Sequence, residues 1–132
     1  MSHIVEAKTS IVQPDLAVLR QAVEVVANQH SGTVESFYLD FYGKRHETNS
    51  QLALLTPQLP RGVGLVITDI GELAFEGDPW SVQSLFQQMQ QEIVQTYVSL
   101  ATIQALQAMG YTAQALDGEI SGQVVIQGVT YA

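Results

Sequence analysis

Val63-Gly64-Leu65-Val66-Ile67-Thr68-Asp69-Ile70-Gly71-Glu72-Leu73-Ala74-Phe75-Glu76-Gly77 decides the reading of the fold. Val63 to Thr68 is a short run rich in β-branched residues. Glu72 to Gly77 alternates carboxylates with Leu73 and Phe75, which is the period of a strand with one buried side. Asp69-Ile70-Gly71 joins the two, and its glycine can take the positive φ of a tight connection. Two consecutive strands so joined are antiparallel. Asp78-Pro79-Trp80 follows at once, with an Asp able to cap exposed backbone N–H groups and a Pro suited to a first helical position, so a helix is expected to start there.

Working outward, the helix runs to Gly110 with Val82, Phe86, Met89, Ile93, Tyr97 and Leu100 as its apolar stripe and Leu85 and Val94 beside it. Before the hairpin, Gln51 to Thr56 reads as a short strand and Pro57 to Gly62 as a turn. Gly43 to Ser50 reads as a polar loop. Thr33 to Tyr42 reads as one alternating strand with Phe37, Leu39 and Phe41 on its buried side and Tyr38 and Tyr42 on its outer side. His3 to Val12 is a strand, and Asp15 to Gln29 is a helix whose stripe is Leu16, Leu19, Val23 and Val26, stopped by Ser31-Gly32. Tyr111 to Leu116 and Glu119 to Ile126 read as strands joined at Asp117-Gly118, with a tail from Gly128 that is frayed or edge-paired. The expected order is β-α-β-β-β-β-α-β-β: an α+β fold of two layers, a largely antiparallel sheet (meander plus C-terminal hairpin) under two helices, in one domain over residues 1–132.

Composition narrows the function classes. The 132 residues are 46% apolar and 14% charged, enough to bury a core. With no cysteine, thiolate metal sites and thiol nucleophiles are excluded. A net charge of −8 repels nucleic acid and anionic lipid, and no apolar run approaches the roughly 20 residues of a membrane span. The N-terminus carries no basic region followed by an apolar stretch, so a cytoplasmic or organelle-stromal location is expected.

The order and spacing of several short stretches resemble the small cyanobacterial and plastid family named hypothetical chloroplast reading frame thirty-five. They are Met1-Ser2-His3-Ile4 with Lys8-Thr9, the first helix, Gly64-Leu65 leading into Gly71 to Asp78, Trp80, Gln95-Thr96-Tyr97, Gly110-Tyr111, and Asp117-Gly118-Glu119-Ile120. The resemblance implies a photosynthetic setting, no catalytic residues to carry over, and an accessory or adaptor role, with an ATPase of the AAA class as a possible partner. The chain departs from that pattern in the Gly43 to Ser50 loop and in its extra C-terminal residues.

Candidate sites are few. His3, His30 and His46 show no short metal-ligand spacing; His46-Glu47 with Asp40 is a weak candidate for a metal, and an exposed loop histidine is the simpler reading. Asp69, Glu72, Glu76 and Asp78 form an acidic corner that, with His3 or His46, would suit acid–base work or a small ligand, and each also has a plain structural role as cap, turn or solvent-facing residue. No phosphate loop, nucleophile elbow or dinucleotide fingerprint is present, and no cofactor or resident metal is expected.

The long helix carries glutamine at Gln83, Gln87, Gln88, Gln90, Gln91, Gln95, Gln104 and Gln107, with Glu92 its single charge. Amides are cheaper to desolvate than ions, so this face suits burial against a second copy or a partner, and it also suits plain solvation. From Pro79 to Met109 the helix would be about 46 Å long, against a body of roughly 36 Å diameter. The reading favoured here is a non-enzymatic, self-associating accessory protein. Its expected contact residues are Gln83, Gln87, Gln88, Gln90, Gln91 and Gln95 with Tyr38, Tyr42 and Trp80.

Overall fold

A computed structural model describes the backbone of residues 3–117 and 124–130 and the side chains of residues 3–110. Its elements are β1 (Val5–Val12), α1 (Leu16–Gln29), β2 (Thr33–Glu35), β3 (Phe37–Leu39), β4 (Arg45–Glu47), β5 (Leu52–Leu55), β6 (Val63–Ile67), β7 (Glu72–Gly77), α2 (Gln83–Ala108), β8 (Tyr111–Asp117) and β9 (Val124–Thr130). The fold is α+β, as the hydrophobic periodicity requires. A five-stranded antiparallel sheet has the order β1-β7-β6-β5-β2, with β3-β4 and β8-β9 as separate two-stranded ribbons. The meander β5-β6-β7 forms the middle. β1 and β2 sit at opposite edges, so α1, which connects them, crosses the width of the sheet.

One face of the sheet is the core. Leu52, Leu54, Val63, Leu65, Leu73 and Phe75 point from it into Leu19, Val23 and Val26 of α1 and Phe86, Met89 and Ile93 of α2, all nearly or wholly removed from water. Burial of this kind is the main stabilising term of a domain of this size. Asp15 caps α1, its carboxylate accepting from the N–H groups of Ala17 and Val18 at 3.0 and 3.2 Å. The Tyr97 hydroxyl accepts from the Asp15 N–H at 2.9 Å and ties the two helices together at that end. Gly71, at φ 85°, closes the β6–β7 turn as its spacing predicts.

Several expectations need correction. The segment from Thr33 to Tyr42 is two strands. At Ser36 the chain leaves the large sheet, because the Ser36 carbonyl accepts from the Thr48 N–H at 3.0 Å and the Ser36 hydroxyl donates to Glu47 at 2.8 Å. The Gly43 to Ser50 loop accordingly contains β4, which pairs with β3.

Two side chains of that segment also exchange places: Tyr38, expected outside, is 2% exposed, and Phe41, expected inside, is 50% exposed, while Tyr42 is exposed as expected. The socket is Gly64, where any Cβ would strike the Tyr38 ring.

Finally, Asp78 and Pro79 do not begin the long helix. A turn bonded from the Val82 N–H to the Pro79 carbonyl intervenes, and α2 starts at Gln83 without a side-chain cap. Its 26 residues span about 39 Å, close to the width of the body, and β8 and β9 both contact it. In the hairpin expected to turn at Asp117-Gly118 with a second strand over Glu119 to Ile126, Asp117 belongs to β8 and pairs with Val124, and β9 continues through Gly128 to Thr130. Residues 118–123 lie outside the described residues.

Candidate functional site

Strand alternation sends every second residue of β1, β6 and β7 away from the helices. On β7 these are Glu72, Ala74 and Glu76; on β1, Glu6 and Lys8; on β6, Gly64 and Val66. The β3-β4 ribbon lies over part of this outer face, seated by Tyr38 on Gly64. Beside it remains a groove of about 590 Å³ lined by Glu6, Lys8, Glu47, Asn49, Val66, Ile67, Thr68, Asp69, Ile70, Glu72 and Glu76. Val66, Ile67 and Ile70 are its apolar lining, and it carries five carboxylates against one lysine. Asn49 shapes the far end: its amide donates to the Ile67 carbonyl at 2.7 Å and accepts from the Ile67 N–H at 2.9 Å, standing in for a neighbouring strand where β5 does not reach.

Three of the four residues of the acidic corner therefore do converge. Asp69, Glu72 and Glu76 line one concavity, while Asp78 is buried elsewhere and accepts from the Phe41 N–H at 2.9 Å. The Tyr38 hydroxyl donates to Glu76 at 3.0 Å. Burial of the phenol, then the neighbouring Glu76 charge, push the Tyr38 pKa well above its ordinary 10.0. No histidine reaches the groove. His3 is exposed, His30 bonds Glu92 across the helices at 2.7 Å, and His46 bonds Asp40 at 2.9 Å. His46 also stacks on Tyr38 with centroids 5.2 Å apart. The hydrogen bond from His46 is the main cause that holds the Asp40 carboxyl below its ordinary value, with the N–H groups of Lys44 and Tyr42 assisting. Asp40 and His46 thus lock the β3–β4 turn. Among the described residues no three His, Cys, Asp or Glu side chains gather as a metal-holding set.

No family model, curated protein or solved structure matches the chain. No described helix is long and apolar enough to cross a membrane.

The expected contact residues separate into two places and one exclusion. Gln83, Gln87, Gln88 and Gln91 are exposed on α2, and Gln90 and Gln95 are half-buried. Gln88 donates to Glu92 at 2.9 Å and so steadies the acceptor of His30. Tyr42 and Trp80 lie at one corner with Phe41, where the Arg61 guanidinium sits 5.5 Å from the Phe41 ring and bonds the Trp80 carbonyl. Tyr38 is in the interior and offers no surface. Sequence reasoning missed Glu6 and Lys8, and read Glu47 only beside His46 and Asp40. The period-two alternation of β1 marks Glu6 and Lys8 as sharing a face, but nothing local says that β1 pairs with β7.

Proposed function

We propose that the chain is a non-enzymatic accessory or adaptor protein that holds a basic segment of a protein partner in the groove on the outer face of its sheet. One observation carries this: the concavity brings together Glu6, Glu47, Asp69, Glu72 and Glu76, with only Lys8 opposing them. Such a surface attracts lysine- and arginine-bearing chains and repels phosphate. Acid–base catalysis finds less support, since His30 and His46 are engaged with Glu92 and Asp40 and His3 is not among the groove's lining residues. The resemblance noted above supplies the setting, a photosynthetic cell, and an AAA-class ATPase as one partner to try.

The test is fluorescence anisotropy with a labelled peptide of alternating lysine and alanine at low salt. Binding is expected, with affinity falling as salt rises. Glu72→Gln should weaken it several-fold, while Glu24→Gln, an equal loss of charge on the helix layer where Glu24 pairs with Arg20, should not. Absence of binding, or equal loss in both variants, overturns the proposal.

A further inference from the structure

The free edge of β1 is a surface complementary to itself. β1 pairs with β7 on one side, and among the described residues no strand pairs with its other side. An eight-residue edge with open N–H and C=O groups is a template for another strand. Edge strands are normally guarded, and β1 is guarded only in part. The register with β7 slips between Lys8 and Val12, where the Thr9 hydroxyl accepts from the Ile11 N–H at 3.1 Å and donates to the Leu73 carbonyl at 2.8 Å. The portion from Val5 to Lys8 keeps a regular register and has no such irregularity.

We propose that two copies of this chain pair antiparallel through β1 about a two-fold axis at Ala7, making one sheet continuous through both molecules. Charge selects both the occupant and the register. With Ala7 opposite its own copy, Glu6 of each chain faces Lys8 of the other, and both contacts are attractive. Moving the axis to Glu6 or to Lys8 sets like charges directly opposite, which is destabilising. An axis between two residues would pair an outward side chain with an inward one.

Two further observations support a missing neighbour. In the β1–β7 register Glu6 stands opposite Glu76, and among the described residues neither carboxylate nor Lys8 makes an ion pair. The inward residues Val5, Ala7, Thr9 and Ile11 are only half-buried, whereas Leu73 and Phe75 of the adjoining strand are closed off. A second β1 supplies the lysine to each Glu6 and covers the inward row. It also brings the two acidic grooves, which Glu6 and Lys8 flank, side by side across the axis.

This inference is independent of what the groove holds, because its readout is mass in solution. Sedimentation of the full chain over a concentration series should show a dimer. Glu6→Lys and Lys8→Glu each convert both cross-strand contacts to repulsions and should weaken dimerisation by on the order of tenfold or more. The double variant Glu6→Lys with Lys8→Glu restores the pairing and should return to wild-type affinity. Glu6→Lys makes the acidic chain less charged, so it would strengthen any association governed by overall repulsion. Circular dichroism confirms that each variant is folded, and the rescue by the double variant stands independently of that control. A wild-type monomer at all concentrations overturns the proposal. So does a dimer that the single variants leave intact, or one lost instead on Gln88→Glu with Gln91→Lys, which would place self-association on α2.

Discussion

Tyr38→Phe isolates one hydrogen bond while keeping the ring in its Gly64 socket and its stack on His46. The phenol donates to Glu76 at 3.0 Å, and a hydrogen bond to a charged acceptor is worth about 1.5–3 kcal/mol. Glu76 is half-buried and borders the open groove, so water can replace the lost donor, and the lower end, about 1.5 kcal/mol, is expected near pH 7. The pH dependence has a definite sign. Because the folded state raises the Tyr38 pKa, its contribution is fully present below the ordinary 10.0 and is lost as pH rises toward the folded value. Above 10.0 the unfolded wild type gains about 1.4 kcal/mol per pH unit from ionising this phenol, a gain the phenylalanine variant lacks. The stability gap should therefore close within roughly one pH unit above 10.0. Urea unfolding of both proteins from neutral to alkaline pH measures it, and tyrosinate absorbance identifies the late-ionising group. A gap that is absent at neutral pH, or that stays constant across the alkaline range, refutes the reasoning.

Asp40→Asn should flatten the acid limb of the stability curve: with its folded pKa lowered, Asp40 contributes above the ordinary 3.8 and loses that contribution as pH falls through the lower folded value. Acid titration of unfolding, wild type against variant, checks it, and identical acid limbs would exclude the Asp40–His46 lock. Gly64→Val should cost about 1–3 kcal/mol by driving a side chain into the Tyr38 ring. Combined with Tyr38→Ala, the same substitution should cost much less than the sum, and an additive double-mutant cycle in urea melts would separate the two positions.

The two layers were legible because each depends on near neighbours in the chain. The 3.6 period of Phe86, Met89, Ile93 and Tyr97 and the two-fold period of Glu72 to Gly77 report a buried side wherever the partner lies. What was not legible depends on distant partners. Tyr38 alternates as an outer residue of a strand and is instead interior, because Gly64 leaves room for its ring and Glu76 accepts its hydroxyl. Neither is visible from the segment Thr33 to Tyr42. Asp78-Pro79 has the local chemistry of a helix start, yet the Phe41 N–H claims the Asp78 carboxylate and helix initiation moves to Gln83.

The groove is the same lesson at the level of function. Asp69, Glu72 and Glu76 are close in sequence and were readable as a corner. Glu6 joins them only because the N-terminal strand closes on β7, and Glu47 only because β4 folds back over the sheet. A concave acidic surface assembled from three separated stretches has no motif. Its charge leaves only a global trace, the excess of carboxylates over bases, and that trace gives the sign of the surface without locating it.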